Sequence, residues 1–105
     1  MHTLNNLLKL MTEKNASDLH ITVGSAPRIR INGNLKAIDE NKLSEKEIET
    51  ILQEHLNNEQ LKSIKNGNEI DFTIGITGLS RFRVNAFLQR ENIVATFRRL
   101  PYDIP

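Results

Sequence analysis

The sequence predicts an α+β fold, an antiparallel sheet with helices packed on one side. Three observations predict it. Two alternating runs near the C-terminal end, residues 81–88 and 93–98, match each other as the arms of a hairpin. An Asn32-Gly33 pair between short apolar runs marks a second hairpin. Apolar residues recur at helical spacing in residues 3–14 and again after Ser44.

In chain order, residues 3–14 read as an amphipathic helix. Leu4, Leu7, Leu8 and Met11 fall at i, i+3, i+4 and i+7, with Thr3 as N-cap and the stripe packing on the core. Ala16-Ser17-Asp18 breaks the pattern. Residues 19–23 alternate as a strand and end at a turn over Gly24 to Pro27. The hairpin around Asn32-Gly33-Asn34 follows, with arms 28–31 and 35–38. Ile29 and Ile31 face one way in it, Arg28 and Arg30 the other.

Ser44 and Glu47 form a capping box: hydroxyl to amide one way, carboxylate to amide the other. The helix it opens is expected to run to about residue 56, with Ile48, Ile51, Leu52 and Leu56 inward. Asn58 is expected to cap a short helix built on Leu61 and Ile64 and ended by Asn66-Gly67. The carboxylates of these helices read as a solvated face. Residues 69–76 alternate with Ile70, Phe72, Ile74 and Ile76 inward, and Thr77-Gly78 turns the chain into the last hairpin.

That hairpin carries the charge pattern of interest. With its loop near Arg90-Glu91, of two or four residues, Leu88 faces Ile93, Ala86 faces Ala95 and Val84 faces Phe97. The same register sets Arg83 opposite Arg98, with Arg81 one step along. Residues 80–105 hold five of the seven arginines. Like charges directly opposite each other destabilise a sheet, so solvent, a nearby carboxylate or an anionic ligand should offset them. With no acid close by in the hairpin itself, three guanidinium groups are expected to converge without a local carboxylate. Beyond Leu100, the prolines at 101 and 105 mark a linker.

Composition excludes several classes. There is no Cys, hence no disulfide or thiolate metal site. No apolar run approaches the roughly 20 residues of a membrane helix, nor does the N-terminus read as a signal peptide, so a cytosolic protein is the default. Charge is uneven. Residues 1–38 carry five basic and two acidic side chains, residues 39–71 four and nine, and residues 72–105 five and two. Opposed patches on a nearly neutral chain suit self-association or a domain contact better than a broad nucleic-acid surface.

No Gly is followed by Lys, so no phosphate loop is present. His2, His20 and His55 are scattered, none at metal spacing, and His20 reads as a satisfied structural histidine beside Asp18. Asp39/Glu40 and Glu69/Asp71 read as surface or capping groups. What remains is the arginine face. It is either a solvated face, salt-bridged to the acidic helices, or a recognition surface. Arg rather than Lys throughout favours planar, bidentate recognition of phosphate or carboxylate.

Four segments carry a resemblance: Ala16-Ser17-Asp18-Leu19-His20, Pro27-Arg28-Ile29-Arg30-Ile31-Asn32-Gly33, Ser80-Arg81-Phe82-Arg83-Val84-Asn85-Ala86-Phe87 and Phe97-Arg98-Arg99-Leu100-Pro101. In order and spacing they resemble the N-terminal domain of type IV pilus retraction ATPases, the PilT-like secretion ATPases. The likeness covers nearly the whole chain. Pilus assembly and type II secretion ATPases are less similar, having an acidic residue and Pro where this chain has Thr22-Val23-Gly24.

The resemblance implies a PAS-like α+β domain over residues 1–100 and, from 101, a linker to a RecA-like ATPase domain. The phosphate loop, metal-binding acids and catalytic Glu of the family lie beyond Pro105, which implies an excised domain. It further implies a homohexamer in which each N-terminal domain packs on the neighbour's ATPase domain, with ATP and Mg in the cleft of the full-length protein and no cofactor held by this segment alone. The implied nucleotide-contacting residues are Arg81, Arg83, Arg98 and Arg99. The implied setting is the cytoplasm, peripheral to the inner membrane at the pilus base, with the pilus machinery and no nucleic acid as partner. The alternative from another class is a stand-alone PAS-like module binding an anionic small molecule or a protein.

Overall fold

A computed structural model describes residues 2–100. The elements run α1 (Leu4–Glu13), β1 (Asp18–Thr22), β2 (Arg28–Ile31), β3 (Asn34–Ala37), α2 (Glu45–Leu52), α3 (Asn58–Lys65), β4 (Ile70–Ile76), β5 (Ser80–Gln89) and β6 (Asn92–Leu100). The linker expected over residues 101–105 lies outside the described residues.

The strands form one six-stranded sheet in the order β3-β2-β1-β6-β5-β4, with every pair antiparallel. β3 and β4 are the two edges, so the segment between them crosses the sheet and carries α2 and α3 over one face. α1 packs against β1, α2 against β6, and α3 against β4 and β5. The expected α+β architecture, helices on one side of an antiparallel sheet, is the one found.

Local chemistry explains the helices. Thr3 Oγ1 accepts the Asn6 amide at 3.1 Å, and Leu4, Leu7, Leu8 and Met11 are buried as the stripe predicts. Asn15, at φ 55, follows the helix, a conformation that Asn tolerates better than most residues. Both halves of the Ser44–Glu47 capping box form, at 3.1 and 3.0 Å. α2 ends at Leu52, earlier than the apolar spacing suggested, although Leu56 stays buried. The N-cap of α3 is Asn57 rather than Asn58, because Gln60 sits at the third helical position and completes a second capping box.

Glu54 is not part of a solvated face. Its carboxylate takes the amides of Leu4 and Asn5 at 2.7 and 3.2 Å, which satisfies orphan donors at the positive end of α1. This bond ties the segment after α2 to the start of the chain.

The core lies between the helices and the inner sheet face. Phe82, Val84 and Ala86 of β5, Ile93, Ala95 and Phe97 of β6, and Leu19 and Ile21 of β1 are fully buried there. The β5–β6 register is the expected one: Val84 opposite Phe97, Ala86 opposite Ala95, Leu88 opposite Ile93. Arg90 and Glu91 form the two-residue loop, both at positive φ (51 and 68), the requirement of a type I′ hairpin turn. No helix among the described residues is long and apolar enough to cross a membrane.

Candidate functional site

The sheet face opposite the helices is open, and strand alternation decides what it displays. Its middle row runs across five strands: Arg30 of β2, Asp18 of β1, Arg98 of β6, Arg83 of β5 and Thr73 of β4, each directly opposite the next. The adjacent row holds Arg28, His20, Thr96, Asn85 and Asp71. Arg81 stands on the same face, opposite Gly75 and Leu100. An antiparallel sheet can leave one face in water, and here that face carries five arginines among the carboxylates Asp18, Glu69 and Asp71.

The expected pairing of Arg83 with Arg98 is found, but the absence of a local acid is not. Arg83 donates from Nε and Nη2 to the two carboxylate oxygens of Asp71, at 3.0 and 2.7 Å. Asp71 is diagonal to Arg83 across β4–β5, within reach of a long side chain. Arg98 Nε lies 3.5 Å from Asp18 Oδ1. The like-charge pair is therefore flanked by one carboxylate on each side. Asp71, read from sequence as a surface group, is an arginine partner, and the Arg83 hydrogen bond holds its carboxyl below the usual carboxylate value. Asp71 in turn raises the Arg83 pKa.

Asp18 is the deeper of the two acids. It is 6% exposed, accepts from Arg30 Nε at 3.0 Å and lies 3.6 Å from His20 Nε2. Burial alone would raise its pKa. The Arg30 hydrogen bond and the charges of Arg98, His20 and Arg30 outweigh that, and the value is lowered. His20 is not the satisfied histidine expected, because its buried Nε2 has no hydrogen bond; buried Arg28 Nε has none either.

The four predicted arginines divide. Arg81, Arg83 and Arg98 come together on the open face. Arg99 faces the helix side, where it donates from Nε to the Ala16 carbonyl at 3.3 Å and from Nη2 to Asn15 Oδ1. Arg81 has no ion-pair partner among the described residues. Between β4 and β6, Asp71, Arg83, Asn85, Thr96 and Arg98 line a shallow cleft of about 280 Å³. A more apolar cleft of about 180 Å³ beside the start of α2 is lined partly by Ser44 and Glu47, whose polar groups are already spent on the capping box. No group of acids and histidines suited to a metal ion occurs among the described residues.

Sequence reasoning missed Asp18, Asp71, Arg28 and Arg30 as members of this face. One signal was available: Asp18 and His20 alternate together, as do Arg28 and Arg30, so each pair had to share a side of its strand.

No family model matches the chain. Among curated proteins it is 35% identical over 101 residues to the type IV pilus retraction ATPase PilT of Pseudomonas aeruginosa, matching 96% of this chain and 29% of that protein. It is also 35% identical over 99 residues to the type IV pilus ATPase PilU of the same organism, matching 94% of this chain and 26% of that protein. Among solved structures, the pilus retraction motor PilT with bound ADP superposes over the whole of this chain and 31% of its own, with a TM-score of 0.88 at 29% identity.

The chain matches the N-terminal domain of the PilT-like secretion ATPases. It spans less than a third of the length of these relatives. Its six-stranded sheet and three helices follow the arrangement of the PilT structure it superposes on. The segments that carried the resemblance in the sequence occupy connected ground. Ala16–His20, Arg28–Ile31, 80–87 and 97–100 supply β1, β2, β5 and β6, the strands that build the arginine row.

Proposed function

We propose that this chain is the N-terminal domain of a hexameric motor ATPase that powers type IV pilus retraction, with residues from 101 leading to an ATPase domain. In this reading the open sheet face closes over ATP and Mg held by the ATPase domain, and Arg81, Arg83 and Arg98 meet the terminal phosphates. Arg99 acts from the opposite side, by tying β6 to the end of α1. The protein works in the cytoplasm at the base of the pilus, and each N-terminal domain packs on the neighbouring subunit so that closure on nucleotide is passed around the ring.

One observation carries the reading. In a domain similar to a retraction motor that has been crystallised with ADP, guanidinium groups from neighbouring strands project from a face that none of α1, α2 and α3 covers. Phosphoryl transfer needs little covalent help from the protein and much positive charge placed near the phosphates, which such a row supplies.

The test is Arg83→Ala in the full-length motor. Turnover should fall on the order of 10³-fold, as for arginines supplied to other phosphoryl-transfer sites. The stability of the domain should barely change, because the Arg83–Asp71 pair is exposed on both sides, at 59% and 41%, and solvent screens it. Wild-type turnover with a clear loss of stability would assign Arg83 to a structural ion pair.

A further inference from the structure

Asp18 is the one buried charged residue among those described, and it is buried on the face that is otherwise open. The register explains how. β1 lies between β2 and β6, and Asp18 stands directly opposite Arg30 on one side and Arg98 on the other. Its two oxygens are divided between them. Oδ2 accepts from Arg30 Nε at 3.0 Å, and Oδ1 faces Arg98 Nε at 3.5 Å.

Arg30 is thus hydrogen-bonded at Nε, the base of the guanidinium fork, and Arg98 is paired there by charge, without a hydrogen bond. Arg30 spends its Nη1 on the Gly33 carbonyl at 3.1 Å. The terminal amines of Arg98 have no hydrogen bond among the described residues, and its side chain is 66% exposed. Arg83 differs, since it commits both Nε and Nη2 to Asp71. Arg98 is therefore drawn toward Asp18 at its base by charge and open at its fork. A fork fixed in advance loses less side-chain freedom when it takes two oxygens of a phosphate. One carboxylate between two guanidinium groups also leaves the row positive, so the anchoring acid does not cancel the attraction for an anion.

We propose that Asp18 is a positioning residue that aims the terminal amines of Arg98 at a phosphate of the bound nucleotide. The inference rests on the motor reading above and adds to it the group that orients one of its arginines. Asp18 itself touches no phosphate.

The experiment is a double-mutant cycle in the full-length motor, with kcat and KM for ATP measured separately and the denaturant midpoint of each variant recorded. Asp18→Asn should lower kcat/KM about tenfold to a hundredfold, the scale of a misplaced group. In the Arg98→Ala background the same change should cost no more than about twofold, because Asp18 acts through Arg98. Equal losses in both backgrounds, tracking the fall in midpoint, would make Asp18 merely structural and overturn the proposal. Arg98→Ala at wild-type turnover would instead remove the role of Arg98 in the motor reading, and this inference with it. Should Asp18→Asn fail to fold, Asp18→Glu displaces the charge without removing it. The same non-additivity is expected of it, and additivity overturns the proposal equally.

Discussion

Among the cations of the open face, position in the sheet decides what each carboxylate does. Asp71 is exposed and grips one arginine at a sheet edge. Asp18 is central and buried, and its pKa is lowered despite the cost of burial because several cations surround it. A depressed folded-state pKa adds stability that is fully present above the unfolded value of about 3.9 and is lost as pH falls through the folded value. The chain with Asp18→Asn should therefore be less stable near pH 7 by about 1–2 kcal/mol, given that its arginine partners are partly solvated. The gap should shrink below about pH 4 as the wild-type carboxylate takes up its proton. Urea midpoints across this range check it. A deficit that persists unchanged into strong acid would place the effect in shape rather than charge. Local pattern placed Asp18 beside His20 but not among the arginines. Asp18 reads in the sequence as a helix terminator, and only the insertion of β1 between β2 and β6 surrounds it with arginines.

Hairpins were the most legible elements, since alternation and turn chemistry are both local. The β5–β6 register followed from matching apolar faces, and the Asn32-Gly33 turn from residues suited to positive φ, here 51 and 82. What the sequence left open was the loop at Arg90-Glu91, because no Gly marked it. The structure closes it tightly with both residues left-handed, at φ 51 and 68. Each such residue costs roughly 1–2 kcal/mol, and the core pairs behind the turn, Leu88 with Ile93 and Ala86 with Ala95, impose it. Replacing Arg90-Glu91 by Asn-Gly should raise stability by about 1 kcal/mol, the relief of strain less the extra freedom of glycine in the unfolded chain. A higher denaturant midpoint at constant slope is the expected result. A lower one would show that the Arg90 or Glu91 side chain holds the turn by a contact stronger than its strain. The helix ends slipped for a related reason. Both Asn57 and Asn58 can cap, and Gln60, three residues after Asn57, chose between them.

At the scale of the molecule, the sheet divides labour between its faces. The inner face and three helices hold the core together, and the outer face concentrates guanidinium groups that the fold itself does not need buried. Such a face can attract the phosphates of a nucleotide, but attraction is only part of phosphoryl transfer. The reaction also needs backbone amides and a lysine around the phosphates, a carboxylate to hold the metal, and a group to orient the attacking water. None of the glycines at 24, 33, 67, 75 and 78 is followed by lysine, and no metal-holding group of acids and histidines occurs among the described residues. Residues 1–105 alone should therefore release no phosphate from ATP above a buffer blank, even with Mg present. Any retention of ATP should be weak and should vanish as salt screens the arginine row. Phosphate release that survives repurification and disappears with Arg98→Ala would overturn this, since it would place a complete catalytic centre on the sheet face. Release that persists in Arg98→Ala and is lost on repurification would mark a contaminating enzyme. The predicted silence of the isolated chain, set beside a large effect of Arg83→Ala in the proposed full-length motor, would locate the chemistry outside residues 1–105 and make the arginine row its lid.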